Sequence, residues 1–131
     1  MWLRGRRRGY MAERALVLEL EERGWWASRV PASGKRGSFD VVAARGGRLV
    51  LIEVKASVAG GRVYLERERW ERALSAAATA GAEAYLAVKE SGSGWWVRPL
   101  PDPDSLAPTG VVFKLAGREK NGWMGLDEAF G

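Results

Sequence analysis

The sequence predicts an α/β protein, a sheet with helices packed on it, and three observations lead there. Residues 39–44 and 49–55 are apolar and rich in β-branched side chains, and Arg45-Gly46-Gly47-Arg48 joins them in the manner of a tight hairpin. Residues 10–23 and 64–80 have helical composition, and a glycine closes each of them, Gly24 and Gly81. Further short apolar segments come after the second helix, so the elements run αβββαβββ, an order that suits helices on a sheet.

In chain order, the first helix, 10–23, is rich in Ala, Leu and Glu. Glu13, Leu16, Val17 and Leu20 share one of its faces, at offsets of three, four and seven. Met11, Ala15 and Leu18 form a second apolar stripe, free to pack on another chain or on a loop. Residues 25–30 form a short strand ended by Pro31, and 32–38 (ASGKRGS) a polar loop. After the hairpin and a loop at 57–61, the second helix aligns Trp70, Ala73, Leu74 and Ala77. Strands at 84–88 and 95–97 flank a Ser-Gly-Ser-Gly turn. Residues 100–110 are a Pro-rich connector, 111–115 a late strand and Asn121-Gly122 a turn. No repeat and no second domain is visible. The expectation is one domain over 1–131 with a basic N-terminal arm at 1–9.

With 47% hydrophobic and 10% aromatic residues, the 131-residue chain can bury a core, which excludes a disordered protein. No apolar run approaches the roughly 20 residues of a membrane span, so no membrane partner is expected. The cluster of arginines between Arg4 and Arg8 resembles the start of a secretory leader, but charges at Glu13, Arg14 and Glu19 interrupt the helix after it. The chain has no cysteine and no histidine. Disulfides, zinc fingers, thiol nucleophiles and Ser-His-Asp chemistry are therefore excluded. Catalysis would have to run on carboxylates, lysine, hydroxyls and a hard metal ion.

The net charge is +5, and it is local. The first 36 residues hold nine Lys/Arg against four Glu, whereas the remainder holds twelve of each sign. Such a cluster is the usual electrostatic footprint for a phosphate backbone, with a solubilising tail as the plainer reading. Arginine outnumbers lysine 16 to 5, which suits bidentate phosphate contacts.

If Gly46-Gly47 is the hairpin tip, Arg45 faces Arg48 and Asp40 falls opposite Glu53. Opposed residues of an antiparallel pair point to one face with Cβ atoms about 4.5–5.5 Å apart, where two like charges destabilise the sheet. A divalent cation relieves that, and Mg²⁺ accepts one or two carboxylates plus water and phosphate oxygens. The period of two puts Lys55 on the same face, roughly 6.6 Å beyond Glu53, where a cation could steady charge on a reacting phosphate. Val54 points the other way, into the core with Ile52 and Val50. The plainer alternative is a surface hairpin with a salt-bridged lysine. Glu13, amid an inward apolar stripe, is costly there unless paired or metal-bound, or it simply complements the helix dipole.

These residues resemble a known family. Arg-Arg-Gly before Glu13-Arg14, a helix, Arg29-x-x-x-Ser33-Gly34, Asp40 and Glu53-Val54-Lys55 are similar to the archaeal-type Holliday junction resolvases of the PD-(D/E)xK nuclease superfamily. The likeness covers residues 4 to about 89. It implies a restriction-endonuclease-like fold, a central mixed β-sheet flanked by helices. It also implies a structure-selective DNA endonuclease acting in recombination and repair. Asp40 and Glu53 would be metal ligands, with Glu13 completing or supporting the site. Lys55 would stabilise the transition state, and Ser33 would be the serine that cleavage needs. Arg8, Arg14, Lys35 and Arg36 would hold phosphates, and Arg6 and Arg7 extend that basic set. Mg²⁺, with Mn²⁺ as a substitute, would be the only cofactor, with no small-molecule cofactor. The partners would be branched DNA (a four-way junction) and a second copy in a homodimer, and the location cytoplasmic, at the nucleoid. Phe39 stands where the superfamily has proline before the aspartate. A relative acting on flaps, forks or duplex DNA, or a non-catalytic nucleic-acid-binding protein on the same fold, would share most of these features.

Overall fold

A computed structural model describes residues 2–30, 39–103, 108–117 and 122–131, with side chains from Gly9 onward. The chain forms α1 (Trp2–Glu22), β1 (Trp26–Arg29), β2 (Val41–Arg45), β3 (Arg48–Ser57), β4 (Arg62–Glu66), α2 (Arg67–Ala80), β5 (Glu83–Glu90), β6 (Gly94–Pro99), β7 (Gly110–Lys114) and α3 (Leu126–Phe130). Five strands make a mixed sheet in the order β1-β2-β3-β5-β6, and β4 pairs with β7 in a separate ribbon. Only the β3–β5 pair is parallel within the five-stranded sheet, and β4 and α2 carry the chain across between them.

The hairpin fixes the centre. Gly46 and Gly47 both have positive φ, +55° and +85°, as a tight two-residue turn requires. Arg45 pairs with Arg48 and Val41 with Ile52, the register expected from the turn. Alternation then sends Val50, Ile52 and Val54 to one face, where Ala12, Leu16 and Leu20 of α1 and Phe130 of α3 cover them. The other face presents Leu86 and Val88, which Trp70 and Ala73 of α2, Val63 and Leu65 of β4 and Phe113 of β7 bury.

Four expectations need correction. The helix over 10–23 begins at Trp2, so the basic segment is the first turns of α1 rather than a separate arm. The helix over 64–80 begins at Arg67. Residues 62–66 are a strand, with Val63 and Leu65 buried and Arg62, Tyr64 and Glu66 exposed, because β7 pairs them residue for residue. The late strand is found, but it joins this ribbon rather than the main sheet. The short helix α3 was not expected; its Phe130 ring packs edge-on against Trp25 and Tyr85. At the other end of α2, Gly81 takes the left-handed conformation (φ +68°), and Ala82 N–H returns to Ala77 O. Most tryptophans whose side chains are described are structural. The indoles of Trp25, Trp70 and Trp123 are buried and donate to the carbonyls of Phe130, Pro101 and Lys114, whereas Trp26 is exposed.

Candidate active site

The acidic pair forms where β2 begins. Asp40 N–H donates to Ile52 O, and Val30 N–H donates to Asp40 O, so the backbone on both sides holds the residue. Its carboxylate then replaces a main-chain acceptor, because Val54 N–H donates to Asp40 Oδ2 at 2.8 Å. That bond aims the side chain at the face carrying Glu53. Glu53 sits mid-strand in β3 and is only 2% exposed.

One guanidinium holds the two carboxylates. Arg69 Nε lies 2.8 Å and 2.7 Å from the two oxygens of Glu53, and Arg69 Nη2 lies 2.7 Å from Asp40 Oδ1. The arginine comes from the first turn of α2, and the next residue, Trp70, is buried and donates its indole N–H to Pro101 O. That anchor fixes the helix over the sheet and delivers its neighbour to the acids. Burial, and then the negative charge and hydrogen bonding of Asp40, push Glu53 up to about 8, although Arg69 pulls the other way. Burial opposes charge on Arg69, but Glu53, Asp40 and Glu13 outweigh it and raise its pKa.

Glu13 stands one step away. Arg29 of β1 pairs with its Oε1 at 3.1 Å, and the same guanidinium lies over the Tyr10 ring, 4.2 Å from its centroid. Burial, then the charge of Asp40, raises the pKa of Glu13, while Arg29 and Arg69 lower it. Among the described residues no three acidic side chains gather at metal-ligand spacing. The arrangement is thus a close pair, Asp40 and Glu53, with Glu13 beside it in an ion pair of its own.

A two-carboxylate set fits Mg²⁺, which keeps waters and takes phosphate oxygens instead of demanding a full protein cage. The oxygens of both acids already converge on one cation, the Arg69 guanidinium. The site is therefore shaped for positive charge.

A family model for the archaeal Holliday junction resolvase (Hjc) matches residues 4–119. The chain belongs to the archaeal Holliday junction resolvase family. The crossover junction endodeoxyribonuclease Hjc of Sulfurisphaera tokodaii is 36% identical over 85 residues, 63% of this chain and 59% of that protein. The enzyme of the same name from Sulfolobus acidocaldarius is 34% identical over 85 residues, with the same shares. That from Methanocaldococcus jannaschii is 31% identical over 94 residues, 72% and 68% of the two chains. The matched segment thus spans about three-fifths of the first two relatives. The solved structure of Archaeoglobus fulgidus Hjc, a Holliday junction resolvase, matches with a TM-score of 0.74 at 27% identity, over 95% of this chain and 96% of that one. The fold expected from the resemblance, a mixed sheet flanked by helices, is the fold observed. The family match also runs on through β5, β6 and β7, past the point where the residue likeness ended.

Within this family frame the structure brings Asp40 and Glu53 together and leaves Glu13 adjacent. Lys55 is half-buried on β3, two residues beyond Glu53 and hence on the same face. Arg14 is exposed on α1. Ser33, Lys35 and Arg36 lie outside the described residues, as do the side chains of Arg6, Arg7 and Arg8, whose backbone is helical. Sequence reasoning missed Arg69. It lies in RERWER, where Arg67 and Arg72 make i,i+4 pairs with Glu71 and Glu68, and nothing local distinguishes the residue that turns toward the sheet. Arg29 entered only as part of a motif, without a partner; in the structure it holds Glu13.

Proposed function

We propose that this chain is a metal-dependent endonuclease of one domain that resolves four-way DNA junctions by paired symmetric nicks. The observation that carries the reading is the convergence of the Asp40 and Glu53 carboxylates on a single cation position, in a chain of the resolvase family. Asp40 and Glu53 would hold Mg²⁺, or Mn²⁺ in its place, with Glu13 supporting them from its pair with Arg29. When bound, such an ion lowers the pKa of a coordinated water and polarises the phosphate. The residues of this chain do the rest. Val54 N–H fixes the orientation of Asp40. The ammonium of Lys55, on the face of Glu53, would hold the growing negative charge on the phosphate. Ser33 would donate its hydroxyl to the same group. Arg6, Arg7, Arg8, Arg14, Lys35 and Arg36 would take the flanking backbone phosphates, and the product would feed recombination and repair.

Two opposed cuts need two sites, which a two-fold dimer supplies. The exposed Met11 and Leu18 on α1 support such a contact, since both are large apolar side chains left in solvent. A protein that acts on chromosomal DNA would work in the cytoplasm, at the nucleoid. No helix among the described residues is long and apolar enough to cross a membrane. The deciding experiment offers purified protein and Mg²⁺ a labelled four-way junction, a flap, a fork and a duplex of identical arm sequence. Paired nicks at equivalent positions, on the junction alone, are expected. Faster cutting of flap, fork or duplex would replace the junction reading with a related nuclease activity, and binding without cutting in Mg²⁺ or Mn²⁺ would leave a binding protein.

A further inference from the structure

We infer that Arg69 is a built-in counter-cation that occupies the metal position of the resting site, so that metal uptake is an exchange of guanidinium for ion. This rests on the reading of Asp40 and Glu53 as metal ligands. Arg69 engages oxygens of both acids at 2.7 to 2.8 Å, leaving little of either carboxylate for a second cation. These are charge-assisted contacts, the stronger class of hydrogen bond, and Arg presents its donors in a planar fork that suits two carboxylates.

Geometry also allows the exchange. Glu53 is fixed in the central strand and 2% exposed, whereas the Arg69 side chain keeps 30% of its surface in solvent. The acids are thus the immobile partners and the arginine the movable one. Trp70 anchors the α2 backbone through Pro101, so a departing guanidinium needs only a change of side-chain rotamer and no shift of the helix. Removing one partner of a buried charge pair leaves the other uncompensated, so a cation at this position stabilises the acids in the absence of metal.

The test measures Mn²⁺ binding by calorimetry to the full-length, DNA-free protein: wild type, Arg69→Gln, Arg69→Lys and Glu53→Gln. Thermal melts in chelator confirm that each variant is folded. Arg69→Gln should bind Mn²⁺ about tenfold more tightly than wild type, within the usual range of coupling between competing ligands. Arg69→Lys keeps a charge but loses the fork, and it should bind with intermediate affinity. The metal-free melting temperature of Arg69→Gln should fall, and saturating Mn²⁺ should restore more of it than in wild type. Glu53→Gln should lose Mn²⁺ binding. If the two Arg69 variants bind no more tightly than wild type while Glu53→Gln fails to bind, the metal site stands and the exchange is refuted. If Glu53→Gln binds as wild type does, the metal-site reading falls and the exchange falls with it.

Discussion

Glu53 makes the metal-free protein less stable as pH rises, and Glu53→Gln should remove that slope. Its pKa is raised from 4.5 to about 8, first by burial and then by Asp40. In the unfolded chain neither influence operates. Between pH 4.5 and about 8 the folded protein therefore keeps a proton that the unfolded chain has already released. Unfolding free energy falls by about 1.4 kcal/mol per pH unit inside that window. The stability that goes with the proton is fully present below pH 4.5 and is lost as pH passes about 8. The whole effect is of the order of 5 kcal/mol, comparable with the total stability of a small domain. Urea unfolding in chelator, measured across the window for wild type and Glu53→Gln, isolates it. The amide does not titrate, it still offers Arg69 an oxygen, and every other titrating group is common to both proteins. Wild type should lose ground steadily against the variant as pH rises. Parallel pH profiles for the two proteins would refute the reasoning.

On the proposed reading the same acids would also govern cleavage. Asp40→Asn and Glu53→Gln should abolish nicking yet leave junction binding intact or stronger in a gel-shift assay, since each removes negative charge near phosphates; near-wild-type cutting by either would overturn the carboxylate site. Replacing Arg6, Arg7 and Arg8 with Ala should weaken binding to all junction sequences alike and flatten its salt dependence by about 0.9 in log–log slope per lost contact on duplex arms. An unchanged slope would assign those arginines to solubility. Ser33→Ala should slow single-turnover cleavage far more than it weakens binding, and equal losses would remove Ser33 from the chemistry. Light scattering should give about twice the monomer mass, and dimers mixed from wild-type and Asp40→Asn chains should nick one strand only; a monomer would point to a flap or fork nuclease.

What could be read in the sequence was what local geometry dictates. Two consecutive glycines between β-branched strands allow essentially one tight turn, and once Arg45 faces Arg48 the position of Asp40 beside Glu53 is set. Leu16, Leu20, Trp70, Ala73 and Ala77 were legible for the same reason, because helical period alone selects the buried face. The misses depend on distant partners. Residues 62–66 lead straight into a helical stripe, and five alternating residues are too few to separate strand from helix when Val63 finds its partner only at Phe113. The five residues of α3 carry no period; burial of Phe130 against Trp25 and Tyr85 holds them. Arg69 lies 16 residues from Glu53 and 29 from Asp40, so its role exists only once α2 has crossed the sheet.

The two buried glutamates show why that crossing matters for chemistry rather than for folding alone. Glu53 and Glu90 are each 2% exposed. Glu90 accepts from Gly60 N–H and from the Trp96 indole, contacts that tie the turn after β3 to the end of β5 and to β6. Glu53 instead shares one cation with a second carboxylate, an arrangement of a kind that well-packed hydrophobic residues often match in stability. On the proposed reading its electrostatics balance at every stage. With the Glu53 proton in place, Asp40 and Arg69 cancel. Were a divalent ion to take the place of both the proton and the guanidinium, the two carboxylates would cancel its two positive charges, so the acidic pair and its cation would carry no net charge in either state. The ammonium of Lys55 and the displaced Arg69 guanidinium would then be the local surplus, two positive charges beside the place where a singly charged phosphodiester would arrive.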